Sequence, residues 1–280
     1  MKTQYVTSYS IGGLHKLSYI EWGEKDNPKV LICAHGLTRN KHDFDVLAEH
    51  LSTDYRVICF DLPGRGESDW LSNKLAYDYS QYTVDALMII ARTGAESVDW
   101  IGTSMGGLLG MALASMKNSP IKKLVINDVG PFVPKEALTR IAEYVGQQPV
   151  FDTDEELGLY MRTVYAGFGE LSERQWDNML HHGKRTLDSG QVTLNYDPDI
   201  AQVFMEKPLE DLNLWPVWEA INQPTLVIKG ENSDLLLDET AQKMTQTGPK
   251  AELIIVSNTA HAPALMNKRD IKQIERWLKQ

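Results

Sequence analysis

Beyond its first two dozen residues, the chain is punctuated by short, unbroken apolar runs. They cover residues 30–34, 57–60, 98–101, 124–126, 225–228 and 253–256. A strand covered on one face alternates apolar with polar. A strand covered on both faces reads as a continuous apolar run, so these six predict buried strands of a parallel sheet. Ahead of them, residues 4–8 and 14–22 do alternate, and Gly12-Gly13 between them predicts a hairpin. Helical spacing fills the gaps. Thr83, Leu87 and Ile90 repeat at one helical period, residues 104–116 are rich in Leu, Ala and Met, and Ile271, Ile274 and Leu278 share one face of the tail. Strands alternating with helices predict an α/β domain with a mostly parallel sheet.

The alternation stops between Gly130 and Trp215. That stretch reads as helical throughout. Thr153 with Glu156, and Ser172 with Gln175, match the box in which a hydroxyl and a side chain three residues on satisfy free amides at a helix start. Pro216 suits the first turn of another helix. The expected organisation is a core of residues 1–130 and 216–280, interrupted by a helical insert at 131–215. An insert of roughly 85 residues far exceeds an ordinary connection in such a fold.

Composition narrows the possible partners. A chain of 280 residues buries ample core without metal or disulfide staples, and 42% hydrophobic with 24% charged residues is ordinary for a globular protein. Net charge is −10 with no Lys/Arg run, which disfavours nucleic acid and strongly anionic substrates. Cys33 and Cys59 lie inside apolar runs and read as buried small hydrophobes. The first ten residues lack the apolar core of a signal peptide. The longest uncharged span, 100–116, carries four glycines and makes a poor membrane helix. A cytoplasmic protein without membrane contact, monomeric or a small homo-oligomer, is the expectation.

Gly102-Thr103-Ser104-Met105-Gly106 matches G-x-S-x-G. Three fixed positions are weak alone, but here a strand run precedes them and a helical run follows. Ser104 there would stand clear of the sheet on a strained turn, with Gly102 and Gly106 removing side chains that would collide. A serine hydroxyl needs a base oriented by a carboxylate. Of seven histidines, only His261 follows a late buried strand directly. Asp234, in the loop after the strand at 225–228, is the preferred acid. Asp128, closing the strand one earlier, is its rival. The order Ser104, Asp234, His261 is nucleophile, acid, base. Two backbone amides must meet the oxyanion. Met105, just after the nucleophile, is one candidate donor. Leu37, presented by Gly36 in His35-Gly36-Leu37, is the other. His35 reads as binding its own loop together, since a second base has no task. Arg65 between two glycines reads as a loop tie. His181-His182 point away from each other on a helix and read as solvated or packed, with no metal expected.

These segments, together with Asp61-Leu-Pro-Gly-Arg-Gly-Glu-Ser68 and Gly230-Glu-Asn-Ser-Asp234, resemble the α/β-hydrolase fold superfamily, in its cap-bearing esterase-like branch. The resemblance implies an eight-stranded, mostly parallel sheet with a helical cap inserted after the sixth strand. It also implies a serine hydrolase acting on a small neutral carboxylic ester, with a thioester or lactone as variants and no cofactor. Serine at the elbow disfavours epoxide opening and dehalogenation, which in such proteins use an aspartate there. A ligand receptor with little turnover, or a lyase or acyl transferase using the same triad, are the competing expectations. The large apolar residues of the insert (Tyr144, Tyr160, Met161, Tyr165, Phe168, Trp176, Trp215 and Trp218) divide between its own core and a pocket over Ser104.

Overall fold

The computed structural model describes residues 2–204 and 208–280. Eight strands form the main sheet: β1 (Gln4–Ser10), β2 (Gly13–Trp22), β3 (Val30–Ala34), β4 (Arg56–Phe60), β5 (Val98–Thr103), β6 (Ile121–Asn127), β7 (Thr225–Gly230) and β8 (Glu252–Val256). Their order is β1-β2-β4-β3-β5-β6-β7-β8. The first two are an antiparallel hairpin, β2 pairs antiparallel with β4, and every later pairing is parallel. Most of the continuous apolar runs are buried strands: all residues of β3, β4 and β7 are buried. The run at 253–256 is the exception: β8 is an edge strand in which only Val256 is buried and Ile255 is exposed. Register aligns their carboxyl ends. Ala34 pairs with both Phe60 and Gly102, and Gly102 pairs with Ile126. The turns after β3, β4, β5 and β6 therefore emerge side by side, where open α/β sheets place their ligands.

Helices cover both faces. Helices α1 (Asp45–Leu51) and α9 (Lys268–Leu278) lie on one, over a core that includes Leu31, Cys33, Cys59 and Val125. Cys33 and Cys59 face each other across β3 and β4 as free, buried thiols. Helices α2 (Tyr79–Thr93), α3 (Met105–Ala114) and α8 (Asp238–Met244) contribute to the other core. The α9 face is the expected one, with Trp277 added to Ile271, Ile274 and Leu278. The α2 face is rotated from the expected one. Its buried positions are Tyr82, Asp85, Ala86, Ile89 and Ile90, while Leu87 is exposed. The cause is polar: the buried Asp85 carboxylate accepts from the Ser8 hydroxyl and lies 3.0 Å from His15 Nε2, both on the hairpin.

Between β6 and β7 the chain leaves the sheet and forms α4 (Lys135–Tyr144), α5 (Asp154–Val164), α6 (Glu173–Gly183) and α7 (Trp215–Glu219). It is not helical throughout. Lys184–Thr186 pairs with Val192–Leu194, and Phe132–Val133 pairs with Leu212–Asn213. These ribbons are only two or three residues long, too short to leave a period in the sequence. The second closes the segment at its neck, where the Leu214 N–H also donates to the Pro131 carbonyl at 2.6 Å. Ser172 and Gln175 form the reciprocal box at the start of α6. At α5 the Thr153 hydroxyl caps Glu156, but the Glu156 carboxylate turns back to the Asp152 N–H instead. Among the described residues no helix is long and apolar enough to cross a membrane.

Candidate active site

Ser104 stands at the turn from β5 into α3 with φ 51° and ψ −115°. A non-glycine residue held there stores strain, which the surroundings must enforce. They do so by close approach. A Cβ at Gly106 would collide with the Ala34 carbonyl of β3, and one at Gly102 with the Gly106 carbonyl. That carbonyl also accepts from Trp100 Nε1 at 3.0 Å, and the Ser104 N–H donates to the Asn127 carbonyl at 2.9 Å. The elbow is thus clamped between β3 and β6.

His261 reaches Ser104 from the loop after β8. Its Nε2 lies 2.9 Å from Ser104 Oγ, and its Nδ1 lies 2.8 Å from Asp128 Oδ2. An ionised carboxylate only accepts, so Nδ1 carries the proton and Nε2 is free to accept from the serine hydroxyl. Asp128 is fully buried at the end of β6. It also accepts from the Gly230 N–H and from the Ser233 hydroxyl, both at 2.7 Å.

The structure therefore brings Asp128, and not Asp234, to His261. Asp234 lies one residue past Ser233, and its carboxylate accepts two N–H groups of Arg140 on α4, at 2.6 and 2.8 Å. Both side chains of that pair are about half exposed. The turn after β7 points its Ser233 hydroxyl inward and its aspartate outward, which explains why the preferred acid is displaced by its rival.

Gly36, Leu37 and Met105 border the same cavity as Ser104. A Cβ on Gly36 would lie 3.8 Å from the Ser104 Cβ. The Leu37 N–H donates to no group among the described residues. Met105 opens α3, where a helix's first amides have no partner within the helix. Buried groups fix this loop. Arg65 Nε donates to the Leu37 carbonyl at 2.8 Å, and its Nη1 donates to the Pro63 carbonyl and the Tyr82 hydroxyl. His35 Nδ1 donates to the Gly36 carbonyl at 2.7 Å, while its Nε2 accepts from the Leu62 N–H at 3.0 Å. Burial pulls its pKa down to about 4, so the ring is neutral and serves as a two-ended tie.

The cavity measures about 420 Å³. Leu108, Val129 and Met266 of the core meet Leu138, Ile141 and Tyr165 of the insert around it. Of the insert's large residues, Tyr144, Tyr165 and Phe168 line it. Others pack elsewhere: Tyr160 tilts on Phe151, Trp176 lies under Arg162, and the buried Trp218 donates to the Thr247 carbonyl. Ser233 and Asn127 also serve the site, without a sequence pattern that assigns them to it. Asn127 Nδ2 donates to Thr103 Oγ1 and to the Pro263 carbonyl, so it joins the elbow to the His261 loop. Ser233 lies inside Gly230–Asp234, whereas Asn127 has no local signal beyond ending a strand.

Known proteins agree with this architecture. A family profile described as alpha/beta hydrolase fold matches residues 29–267. A 3-hydroxybutyrate-oligomer hydrolase of Cupriavidus necator is 42% identical over 275 residues, covering 95% of this chain and 94% of that protein. The crystal structure of a putative hydrolase from Rickettsia typhi superposes with a TM-score of 0.94 at 35% identity, over 100% of this chain and 99% of that one. An alpha/beta hydrolase from Novosphingobium aromaticivorans gives 0.86 at 35% identity, over 99% and 98%.

Proposed function

The chain belongs to the α/β-hydrolase fold family, and from that premise we propose that it is a serine hydrolase cleaving a small carboxylic ester through an acyl-Ser104 intermediate. The observation that carries this reading is the continuous line from Asp128 through His261 to Ser104, with contacts of 2.8 and 2.9 Å. Ser104 Oγ attacks the ester carbonyl while its proton passes to His261 Nε2. The carbonyl oxygen becomes an oxyanion beside the Leu37 and Met105 N–H groups. Asp128 keeps the ring oriented and stabilises the imidazolium. Collapse releases the alcohol, which takes the proton from His261. Water then repeats the sequence against the acyl-enzyme and frees the acid.

The substrate class follows from the cavity and the kinship together. A mostly apolar space of about 420 Å³ suits a short acyl chain. Similarity to a 3-hydroxybutyrate-oligomer hydrolase over nearly the full length favours short linear esters of hydroxy acids. Residues 131–215 act in this reading as the lid that shapes the acyl site. The test is hydrolysis of short-chain nitrophenyl esters and of 3-hydroxybutyrate dimers and trimers. Ser104→Ala is expected to lower kcat by about 10⁴-fold or more. Equal rates in both proteins would remove Ser104 from the mechanism. A rate on nitrophenyl esters alone would remove the hydroxy-acid assignment and leave the mechanism standing.

A further inference from the structure

A second cluster of chemically able side chains lies where the insert meets the core, apart from Ser104. His42 sits in the short 3-10 turn Lys41–Phe44, and Asp45 opens α1 directly after it. His182 approaches from the last turn of α6. One ligand atom of each of the three lies within 4.8 Å of the other two, the only such His/Cys/Asp/Glu group among the described residues. His42 Nδ1 is 3.0 Å from Asp45 Oδ2. The His42 ring stacks on that of His182, with centroids 3.5 Å apart and planes 12° from parallel. His181 does not point away from its neighbour as expected: its ring meets that of His182 edge-on, with centroids 4.7 Å apart, and two amides complete the surroundings. Asn178 Nδ2 donates to Asp45 Oδ2 at 3.4 Å, and Asn40 Nδ2 donates to the His182 carbonyl at 3.1 Å. The nearest lysine in sequence, Lys41, is held by Asp61 and Glu67.

We propose that His42, Asp45 and His182 bind a divalent transition-metal ion of the zinc class, which fastens the insert to the core beside the loop that carries Leu37. Two imidazoles and one carboxylate are borderline donors that suit zinc, cobalt or nickel and leave a fourth position for water. Calcium and magnesium need more oxygen ligands than this site offers. With metal–ligand bonds of about 2.0–2.1 Å, tetrahedral partners stand ~3.4 Å apart, so from separations within 4.8 Å no pair needs to close by more than about 1.4 Å, by ring rotation. The stack is thereby exchanged for two rings splayed about one ion. All three residues are half-buried, which leaves a path for an ion from solvent. The same seam already carries a contact to the active-site wall. Arg39, paired to Asp43, lies over the Tyr165 ring at 4.5 Å, and all three residues line the cavity. An ion across His42 and His182 tightens that wall.

The pairing of His181 with His182 gives no hint of this site, because the other two ligands come from a segment far earlier in the sequence. The test is a titration of chelator-stripped protein with Co²⁺, followed by visible d–d absorption and by displacement with Zn²⁺. One Co²⁺ per chain with the intense bands of four- or five-coordinate geometry is expected, with a higher Tm in saturating Zn²⁺. His182→Ala and Asp45→Asn should each weaken binding at least about tenfold, since even outer partners of a metal site are worth that much. His181→Ala, which removes the exposed neighbour, should leave it unchanged. Metal-free Asp45→Asn keeps the shape of the side chain, and its retained ester hydrolysis shows that the variant is folded. No saturable binding by the wild type, or equal binding by His182→Ala and Asp45→Asn, overturns the proposal.

Discussion

The turns after β6 and after β7 each carry an aspartate at the carboxyl edge of the sheet, and they use it in opposite ways. Asp128 is sealed from water and surrounded by three donors: the His261 ring, the Gly230 N–H and the Ser233 hydroxyl. Asp234 is half exposed and paired with a half-exposed arginine. Both carboxylates are well hydrogen-bonded, so bond count does not separate them. Solvent does. A charge held among fixed dipoles away from water interacts several-fold more strongly with its partners than one at the surface. The β7 turn still serves the site, by donating to the acid of its neighbour rather than by supplying one.

The sharpest way to break this comparison is to neutralise each carboxylate. Asp128→Asn should reduce kcat by about 10⁴-fold, because an amide no longer holds His261 in the working tautomer. Asp234→Asn should stay within about threefold. The reverse ranking, read from initial rates, would return the acid to Asp234. The next effect concerns another group cut off from water. His35 has its pKa pulled by burial from 6.5 to about 4. The unfolded chain therefore binds a proton that the folded one refuses. Stability should fall as the pH drops from about 6.5 towards 4, by at most ~3 kcal/mol for this group. Urea midpoints across that window measure it, and His35→Gln should flatten the slope. Ser233→Ala removes one donor from Asp128 and should cost about 1.5 kcal/mol in stability and about tenfold in kcat. The smallest effect belongs to the surface pair. A double-mutant cycle of Arg140→Gln and Asp234→Asn should return ~0.2–1 kcal/mol, shrinking in 1 M salt. A coupling several times larger would mean that the pair is shielded from solvent in solution.

Much of the fold is legible in the chain because strands buried on both faces leave continuous apolar runs, although the sixth such run, at the β8 edge, is largely uncovered. Where polar groups organise the packing, the pattern misleads. Asp85 faces inward on α2 because the hairpin offers it Ser8 and His15, and no hydrophobic period can show that. The two-residue ribbon at Phe132–Val133 is too short for any period. Ser104 stands in a local motif that its neighbours enforce, and His261 follows a recognisable strand. The acid differs because both turns present an aspartate, and the choice depends on which side chain the fold encloses. Ser233 and Asn127 act by position alone, so their roles emerge only from coordinates.

The neck that pairs Phe132–Val133 with Leu212–Asn213 brings the two ends of a long excursion into contact. A segment whose entrance and exit already touch can be replaced by one of very different length for little loop-closure entropy. Ser104 and Asp128 precede that neck and His261 follows it, so a graft at 134–211 would leave every reacting atom on the retained scaffold. The proposed reacting groups and part of the cavity wall thus sit on separable pieces of one chain, and exchanging 134–211 for a relative's segment tests whether that piece sets acyl preference.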